Sequence, residues 1–513
     1  MASLVSILDE SAQAYPDKVA LRFAGSSFTY AELRGRVDQV AGMLAGLGVQ
    51  KGDRVAIIAP NSSATLEVLF ACARLGAVFE QINVRFSEQV IKRLLERSKP
   101  RVVFVSSERL GALEEHIGAG HDGSTMVVLG YGPVESASRC DALVYEDALG
   151  SAEPVAATRS IAPSDPALLL YTSGTTGMPK GVLLSHGALM TRISIDIGEM
   201  RFTHDDVLLC ELPLFHVTFV STLVTIALGG ELVIAQSHKP ADIAADLNRF
   251  GATRTALVPF LMRGLAEHVE EQGIALNTLD LIIYGGEPVA PELLLRCQEA
   301  IPCDYLQGYG MTETTAAIAM LLPEHHRDPR LLSTAGTPVA GMEIRVIDEE
   351  GTELAAGQNG EIIVRSDTLM TGYFCDPERT AEAMRDGWYR TGDIGHFDEE
   401  GFLTLVDRKD NMVITGGENV YPLEVARCIK DMGDDIKDVV VMGVPDERWG
   451  ETLVALVVRG AGAAVTEEEI AAHCARQLGG YKKPRIVRFV DDLGRNASGK
   501  VPREQLENLR HQL

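Results

Sequence analysis

Residues 171–181 read YTSGTTGMPKG, a stretch with three glycines, four serine or threonine side chains, one proline and one lysine. An apolar run, Ala167 to Leu170, precedes it and a helix-like segment follows it, which is where α/β sheets place ligand loops. A flexible linker is therefore the weakest interpretation. An ordinary strand-to-helix turn and a loop whose backbone N–H groups wrap a phosphate both stay open, because glycine lets the backbone approach an anion closely. The stretch is not the P-loop of nucleoside triphosphatases, since Met and Pro separate Gly177 from Lys180.

The composition predicts a globular chain of more than one domain. Its 513 residues exceed the size at which a single core stops growing, about 250 to 300 residues. Hydrophobic residues make up 46% and charged residues 23%, which is typical of a folded protein. The 47 basic and 72 acidic residues give a net charge of −25, which disfavours nucleic acid and anionic membranes as partners. An anionic ligand would have to meet a local basic cluster.

The sequence contains no recognisable targeting or structural-metal signal. The eight cysteines are scattered without a CxxC pair, so neither a disulfide framework nor a structural metal site is expected. The first residues, MASLVSILDESAQ, have neither the basic region nor the cleavage site of a signal peptide. The longest apolar run, Val217 to Gly230, is too short to span a bilayer and is interpreted as a buried helix. A cytoplasmic protein without an integral membrane segment is expected.

Alternating strand and helix patterns predict a large α/β body. Thr29 and Glu32 form a capping-box pattern ahead of apolar residues at helical spacing. The apolar strand candidate Asp53–Ala59 is followed by a helical stretch, Ser63–Leu75. This alternation favours mainly parallel sheets flanked by helices, within a body of several subdomains over residues 1–409.

The pattern changes after residue 409. The run DVVVMGVPDERWGETLVALVVRG (residues 438–460) is typical of two strands around a turn, and an amphipathic helix follows near Glu467–Leu478. Residues 410–513 are therefore predicted to form a small α+β domain of ordinary size. The polar cluster DRKD (residues 407–410) marks the joint between the two parts.

Several motifs recur in one order along the chain and identify a family resemblance. After YTSGTTGMPKG come PLFH (Pro213–His216), YGGEP (Tyr284–Pro288), GYGMTE (Gly308–Glu313), YRTGD (Tyr389–Asp393), DRKDNMVITGGENVYP (Asp407–Pro422) and NASGKVPR (Asn496–Arg503). This ordered set resembles the adenylate-forming superfamily, which includes acyl-CoA synthetases, firefly luciferases and the adenylation domains of peptide synthetases. The resemblance is greatest to bacterial fatty-acyl or aryl-acyl-CoA ligases.

The resemblance implies a reaction in two halves. A carboxylate attacks the α-phosphate of ATP to give acyl-AMP and pyrophosphate, and a thiol then takes the acyl group. The expected cofactors are ATP and Mg²⁺, with CoA as co-substrate. A carboxylic acid is already ionised at neutral pH, so the first half needs charge neutralisation and positioning rather than a Ser-His or Cys-His nucleophile.

The resemblance also assigns roles to residues at matching positions. The catalytic residues are Lys500, which bridges the acid and the α-phosphate, together with Glu313, Thr312 and His216, and Glu313 holds Mg²⁺ through a hard oxygen. The residues expected to bind ATP or AMP are Thr172, Ser173, Gly174, Thr175, Thr176, Gly177, Lys180, Gly285, Gly286, Glu287, Gly308, Tyr309, Gly310, Met311, Asp393 and Arg408. Among them Tyr309 stacks on adenine, Asp393 accepts the ribose hydroxyls and Arg408 also reaches the ribose.

A rotation of the small domain between the two halves is implied as well, with Asp410 as its hinge. After rotation Gly416, Gly417 and Glu418 would line the route for CoA. Basic contacts to CoA phosphates are a further hypothesis, and the candidate residues are Lys482, Lys483, Arg485 and Arg503.

The acid is expected to be apolar: fatty, alicyclic or aryl. His216 is assigned to gating and carboxylate positioning, and Phe215, Val217 and Phe219 to the acyl pocket, because the run after His216 has no charged residue. A dicarboxylic acid stays open, since Arg254 and Arg263 follow in the next segment. Glu287 departs from the small residue that many relatives carry after the two glycines, and its role stays open.

Three alternatives remain at this point. The chain could be a freestanding acyl-AMP ligase that loads a carrier protein, a dicarboxylate-CoA ligase, or a nucleotide-binding pseudoenzyme. Glu313, Asp393, Arg408 and Lys500 are all present, which disfavours the pseudoenzyme. The expected partners are a small carboxylic acid, ATP and CoA, with no nucleic acid, and a homodimer is left open.

Overall fold

A computed structural model describes residues 3–110, 125–129, 142–172, 178–287, 289–415, 418–446, 449–480, 482–495 and 501. At residues 218, 410, 414, 418, 419 and 450 it describes the backbone alone.

The α-helices of the described residues are α1 (Ser6–Ala14), α2 (Tyr30–Gly46), α3 (Ser63–Leu75), α4 (Glu88–Ser98), α5 (Tyr145–Gly150), α6 (His186–Met200), α7 (Val220–Ala227), α8 (Pro240–Phe250), α9 (Pro259–Gln272), α10 (Pro291–Ala300), α11 (Pro377–Ala383), α12 (Pro422–Lys430) and α13 (Glu467–Leu478). Short 3₁₀ turns are found at Val217–Phe219, Thr312–Thr314, His325–Arg327, Lys409–Asn411 and Gly433–Asp435.

The strands are β1 (Val19–Phe23), β2 (Ser26–Thr29), β3 (Arg54–Ile58), β4 (Val78–Gln81), β5 (Val102–Ser106), β6 (Thr125–Leu129), β7 (Leu143–Val144), β8 (Pro166–Thr172), β9 (Lys180–Ser185), β10 (Val207–Cys210), β11 (Glu231–Ile234), β12 (Arg254–Leu257), β13 (Leu281–Gly285), β14 (Asp304–Met311), β15 (Ala316–Leu321), β16 (Thr337–Pro338), β17 (Glu343–Ile347), β18 (Gly360–Arg365), β19 (Gly372–Tyr373), β20 (Met384–Arg385), β21 (Trp388–Phe397), β22 (Leu403–Arg408), β23 (Val413–Thr415), β24 (Glu418–Val420), β25 (Ile436–Asp446), β26 (Gly450–Arg459) and β27 (Ile486–Phe489).

Two large sheets form the core of the body and confirm the predicted α/β class. The first sheet has the strand order β16-β15-β14-β13-β12-β10-β11-β1-β2, and its neighbours from β14 to β1 are parallel. The second sheet has the order β19-β9-β8-β4-β3-β5-β6-β7, parallel from β8 to β7. Helix α3 is buried along its whole length, as expected for a helix enclosed in a layered α/β core.

The helix after Thr29 begins as its sequence predicts. The Thr29 side chain accepts a hydrogen bond from the Glu32 N–H, and the Glu32 carboxylate accepts one from the Thr29 N–H. These two bonds satisfy backbone donors that a helix start leaves without partners.

The segment after YTSGTTGMPKG differs from the expected strand-to-helix connection. Strand β9 begins at Lys180 and pairs antiparallel with β8, with Thr172 opposite Lys180, and only then does α6 begin at His186. The loop therefore closes a hairpin at the edge of the parallel strands. The reason is local: the KGVLLS segment presents three apolar residues that pair with β8 and pack on the second sheet's core.

A third sheet, entirely antiparallel, was not predicted from the sequence. It has the order β17-β18-β21-β20, with β22 also paired to β21, and lies between the parallel sheets and the small domain along the chain. Antiparallel strands can alternate buried and exposed residues, so their local pattern is weaker than that of a buried parallel strand. This sheet supplies Asp393 and Arg408.

The C-terminal residues form the small α+β unit that was expected. Strands β23 to β27 make a fourth, mostly antiparallel sheet, and α12 and α13 pack on it. The predicted boundary between residues 409 and 410 falls in the 3₁₀ turn Lys409–Asn411 and stays a prediction, as does the mobility of this domain.

The apolar run after His216 becomes a 3₁₀ turn and the short helix α7, which packs in the core of the first sheet. Among the described residues, no helix is both long and apolar enough to cross a membrane.

Candidate active site

Three sheets meet at the carboxyl end of β14, where the GYGMTE motif ends. Strand β14 belongs to the first sheet, Tyr373 on β19 to the second, and Tyr389 and Asp393 on β21 to the third. Ligand sites in parallel α/β sheets lie at the carboxyl ends of strands, so the position suits a binding site.

Tyr309, Asp393 and Arg408 form one group at this junction. The Tyr309 hydroxyl donates to Asp393 Oδ2 at 2.6 Å, and Arg408 Nη1 lies 3.0 Å from Asp393 Oδ1. Asp393 and Arg408 are direct cross-strand neighbours on β21 and β22, so the sheet register itself holds the ion pair. Each oxygen of the carboxylate thus has one protein partner.

The electrostatics of this group favour a ligand on the arginine side. Burial raises the pKa of Asp393, while the Arg408 guanidinium opposes the rise. The Arg408 side chain is 52% exposed and that of Asp393 only 12%, so solvent reaches the pair from the Arg408 side. Burial and the neighbouring Asp393 together hold the pKa of Tyr309 well above its usual range, and the phenol stays a hydrogen-bond donor.

Glu313 lies four residues after Tyr309, in the 3₁₀ turn Thr312–Thr314. Its Oε1 accepts a hydrogen bond from the Tyr373 hydroxyl at 3.0 Å, and its carbonyl accepts one from the Met370 N–H at 2.8 Å. The side chain is buried, and the half-buried Thr312 precedes it in the same 3₁₀ turn. The Lys180 ammonium lies 5.6 Å above the Tyr373 ring, so Lys180 and Glu313 both contact one tyrosine. No sequence motif singled out Tyr373, because its role depends on a contact across sheets.

The glycines of YGGEP allow β13 to lie against β14. A Cβ at Gly285 would come within 2.4 Å of the Gly308 carbonyl oxygen, and Gly286 has φ +86°, where a side chain is strained. Glu287 follows, half-buried, and lies within electrostatic reach of Arg495 in the small domain. The sequence left the role of Glu287 open, and this interaction places it on the side of the large body that faces the small domain. Gly310 and Met311 complete β14 beside Tyr309.

The PLFH motif forms a tight turn after β10. The His216 N–H donates to the Pro213 carbonyl oxygen at 3.1 Å, Phe215 is buried and His216 is exposed, with their ring centroids 4.8 Å apart. Val217 and Phe219 are buried in the following 3₁₀ turn. The motif therefore presents His216 outward from an apolar base.

The joint at residues 407–410 includes a buried, hydrogen-bonded carboxylate, unlike a stretch of charged side chains that only contact solvent. Asp407 is buried and accepts hydrogen bonds from the N–H groups of Arg408 and Leu423, each at 2.6 Å, and from Asn411 Nδ2 at 3.1 Å. It thereby ties β22 to the start of α12. Burial raises the pKa of Asp407, and the side chain of its neighbour Asp410 is not described.

Several predicted site residues lie outside the described residues. They are Ser173, Gly174, Thr175, Thr176, Gly177, Gly416, Gly417, Lys500 and Arg503. Thr172, the last residue of β8, is half-buried at the entry to the loop, and Glu418 begins β24.

The basic residues proposed for second carboxylates or CoA phosphates have other contacts. Arg254 begins β12, at the opposite end from the site, and its Nε lies 2.8 Å from Asp206 Oδ1. Lys482 Nζ bonds Glu424 at 2.7 Å. Arg485 donates to Thr415 Oγ1 at 3.0 Å and stacks on Trp449. Arg263 and Lys483 are exposed. Arg254 is thus a structural residue, which removes one of the two reasons for expecting a dicarboxylic acid.

The donor set around Glu313 suits Mg²⁺ shared with a nucleotide. Within the described part of the chain, no cluster of three or more His, Cys, Asp or Glu side chains could hold a metal ion by itself. Mg²⁺ typically uses one or two carboxylates and completes its shell with phosphates and water. Glu313, a buried carboxylate fixed by Tyr373, fits that role only when phosphate oxygens are also present.

The chain is similar to known proteins along nearly its whole length. The chain matches the AMP-binding enzyme family over residues 8–374 and the AMP-binding enzyme C-terminal domain over residues 433–500. It is 35% identical to indoleacetate–CoA ligase of Aromatoleum aromaticum over 506 residues, 98% of this chain and 97% of that protein. It is 33% identical to feruloyl-CoA synthase of Amycolatopsis sp over 488 residues, 95% of this chain and 94% of that one.

Among solved structures, ATP-bound MatB from Rhodopseudomonas palustris has a TM-score of 0.88 and 32% identity, covering 99% of this chain and 98% of that one. These matches span both the body and the small domain. The protein belongs to the AMP-binding enzyme family, the adenylate-forming enzymes that its ordered motifs resemble.

Proposed function

We propose that the protein is an ATP-dependent, AMP-forming acyl-CoA synthetase. A carboxylate oxygen attacks the α-phosphorus of ATP, the bond to pyrophosphate breaks, and acyl-AMP forms. The CoA thiol then attacks the acyl carbon, the bond to AMP breaks, and the thiol proton is released. The observation that carries the proposal is the Tyr309, Asp393 and Arg408 group beside Glu313, assembled from two sheets at one strand end.

Asp393 and Arg408 are proposed to hold the ribose. A carboxylate can accept two hydroxyl donors, and Asp393 is held in place by its cross-strand arginine. Tyr309 is proposed to stack on adenine, because its hydroxyl bond to Asp393 fixes the orientation of the ring. The similar MatB structure is described as ATP-bound, which supports a nucleotide as a ligand of this fold.

The triphosphate is proposed to lie between the YTSGTTG loop and Glu313. Lys180 contributes a positive charge on the loop side, while Thr312 adds a hydroxyl and Glu313 would hold Mg²⁺ on the other. Bound Mg²⁺ would neutralise charge on the phosphates as pyrophosphate leaves. Lys180, Thr312 and Glu313 would together position the phosphates for in-line attack by the acid.

The acid is proposed to be apolar and is best sought among aryl and arylalkyl acids. Phe215, Val217 and Phe219 are buried and apolar beneath the exposed His216, which suits a carboxylate held at the mouth of an apolar pocket. The two relatives described above are named for indoleacetate and ferulate, both acids whose carboxyl is carried on a side chain of an aromatic ring. Arg254 is engaged by Asp206, which weakens the case for a second carboxylate.

Domain rotation about Asp410, with Lys500 serving adenylation and residues 416–418 serving CoA, is proposed from the family resemblance. The test is Lys500→Ala, assayed separately in each half-reaction. Adenylation should fall by on the order of 10²-fold, the scale for loss of one transition-state charge contact, while supplied acyl-AMP is still converted to thioester. Equal losses in both halves would remove the rotating-domain account.

The proposed function is tested by ATP-dependent pyrophosphate release across aryl, arylalkyl, fatty, alicyclic, dicarboxylic and amino acids, with and without CoA. Turnover with an apolar acid that rises when CoA is added is the expected result. Pyrophosphate release that CoA does not stimulate would favour loading of a carrier protein. A binding-only role would leave every acid without turnover.

A further inference from the structure

The backbone of the PLFH turn is buried and needs hydrogen-bond partners from outside the turn. Among the contacts of the described residues, one hydrogen bond lies within the turn itself, and it joins the His216 N–H to the Pro213 carbonyl oxygen. Leu214 is 1% exposed and Phe215 is 5% exposed, so water cannot easily satisfy the peptide groups between them. Buried peptide groups without partners cost free energy, so a partner is expected for each.

Asn61 satisfies two of these groups. It follows β3 in the second sheet, its Nδ2 donates to the Leu212 carbonyl oxygen at 2.8 Å, and its Oδ1 accepts from the Leu214 N–H at 2.8 Å. One side-chain amide thus bonds the peptide groups on both sides of Pro213. Nothing in the local sequence around Asn61 indicated this contact, because its partners are about 150 residues away in the chain.

Gln81 satisfies the next two groups. It is the last residue of β4 and is 4% exposed. In the amide orientation that matches donors to acceptors, its nitrogen donates to the Leu214 carbonyl oxygen at 2.5 Å and its oxygen accepts from the Phe215 N–H at 3.2 Å. Between the Leu212 oxygen and the Phe215 nitrogen, the two amides therefore bond every backbone donor and acceptor except the Pro213 oxygen, which accepts from the His216 N–H.

We propose that Asn61 and Gln81, together called the amide clamp, are positioning residues for the carboxylic acid. Gln81 ends a strand of the second sheet and Asn61 follows another, whereas the turn follows a strand of the first sheet. The amide clamp therefore fixes the position of Phe215 and His216 relative to the second sheet. The hydrogen bonds described for the two side-chain amides go to the turn and its flanking Leu212, so the amide clamp acts through the turn. This inference rests on the proposed function, in which His216 faces the acid.

The amide clamp predicts a selective kinetic effect. The nucleotide group of Tyr309, Asp393 and Arg408 lies on other strands and bonds neither amide. Disturbing the clamp should therefore raise KM for the acid and leave KM for ATP unchanged. Misplacement of a positioning group by about 1 Å can cost on the order of 10²-fold, so an increase of about 10-fold or more in the acid KM is expected.

The test is Asn61→Asp, which keeps the acceptor for the Leu214 N–H but faces the Leu212 oxygen with a second acceptor. The matched control is Asn248→Asp, because Asn248 Nδ2 also donates to a backbone carbonyl, that of Ala275 at 3.1 Å, on the exposed part of α8. The control should leave both KM values unchanged. Should Asn61→Asp not fold, Gln81→Glu provides the same test, because it too replaces a donor with an acceptor.

A double variant separates positioning from general structural support. In a His216→Ala background, Asn61→Asp should add less to the acid KM than it does in the wild-type chain, because both act on one turn. If the two substitutions raise the acid KM additively, or if Asn61→Asp raises the KM for acid and for ATP equally, the proposed role of the amide clamp is wrong. The proposed synthetase function would still stand, provided that the wild-type chain is active. A wild-type chain without acid-dependent turnover would instead overturn the proposed function, and the amide clamp with it.

Discussion

Carboxyl groups at the sheet junction and those buried elsewhere in the two parallel sheets have different partners. At the junction, Asp393 is paired with the Arg408 guanidinium. Elsewhere, Glu80 on β4 accepts a hydrogen bond from the Tyr171 hydroxyl at 2.7 Å, and Glu211 after β10 accepts one from the Thr255 hydroxyl at 2.8 Å. Glu80 and Glu211 are both fully buried.

The surroundings of each carboxyl group bias its charge. Burial raises the pKa of Glu80 to about 7 and that of Glu211 to about 8, because a hydroxyl neighbour compensates little of the lost hydration. At Asp393 a cation opposes the same effect of burial. Asp393, which is paired with an arginine, can therefore serve as an anionic acceptor for a ligand, whereas Glu80 and Glu211 favour the neutral form below their raised pKa values and contribute to packing. The comparison assigns function to Asp393 and structure to Glu80 and Glu211.

The largest expected effect concerns Glu313, the other carboxylate at the junction. Glu313→Gln should lower the rate of pyrophosphate release by on the order of 10²-fold and raise the Mg²⁺ concentration needed for half-maximal rate. The rate is measured over a Mg²⁺ titration at saturating ATP and acid. Glu80→Gln is the control, since it removes a carboxyl that is proposed to be neutral and should keep the wild-type Mg²⁺ dependence. Identical Mg²⁺ curves for Glu313→Gln and the wild type would remove the metal role.

A smaller effect, on the stability of the fold, is expected for the hydrogen bond between Thr255 and Glu211. Thr255→Val removes the hydroxyl that bonds Glu211 and should lower the free energy of unfolding by about 1 to 3 kcal/mol, the cost of a buried polar group that loses its partner. Adding Glu211→Leu should recover much of that loss, because both partners are then apolar. Denaturant titration measures each step. A double variant no more stable than Thr255→Val would contradict this account of the pair.

The smallest effect is a change in pH dependence. Glu80 and Glu211 keep their protons in the folded chain at pH values where the unfolded chain loses them, so their contribution to stability falls as pH rises from about 4.5 toward 7 and 8. Each group contributes at most about 1.4 kcal/mol per pH unit to this fall. Glu211→Gln should flatten the decline, gaining stability relative to wild type at pH 8 and not at pH 4.5. Parallel stability curves for variant and wild type would show that Glu211 is ionised in the folded chain.

Local signals in the sequence predicted many of the elements. The capping box at Thr29 and Glu32 and the apolar spacing of Ser63–Leu75 and Glu467–Leu478 correspond to α2, α3 and α13. The hairpin between β8 and β9 was missed because the apolar segment after the loop was interpreted as the start of a helix, and the antiparallel third sheet was missed because its strands leave a weak local pattern. Helix signals are local, whereas strand partners are not.

The same distinction applies to the candidate site. The family motifs in the sequence pointed to Tyr309, Asp393 and Arg408, and the fold brings these three side chains into contact. Tyr373 and the amide clamp could not be named, since each acts through a partner on another sheet. Arg254 was one of two reasons for leaving a dicarboxylic acid open, and its contact with Asp206 does not support that reason, because an arginine's partner cannot be identified from its own segment.

The most direct test of the central claim measures ATP binding by calorimetry for the wild type, Asp393→Asn and Glu211→Gln. Asn keeps the shape of Asp393 and removes the charge that pairs with Arg408, whereas Gln replaces a carboxyl that is already neutral. The account predicts that Kd for ATP rises at least about 30-fold in Asp393→Asn, equivalent to about 2 kcal/mol, and stays at the wild-type value in Glu211→Gln. Wild-type affinity in Asp393→Asn, or equal losses in both variants, would contradict it.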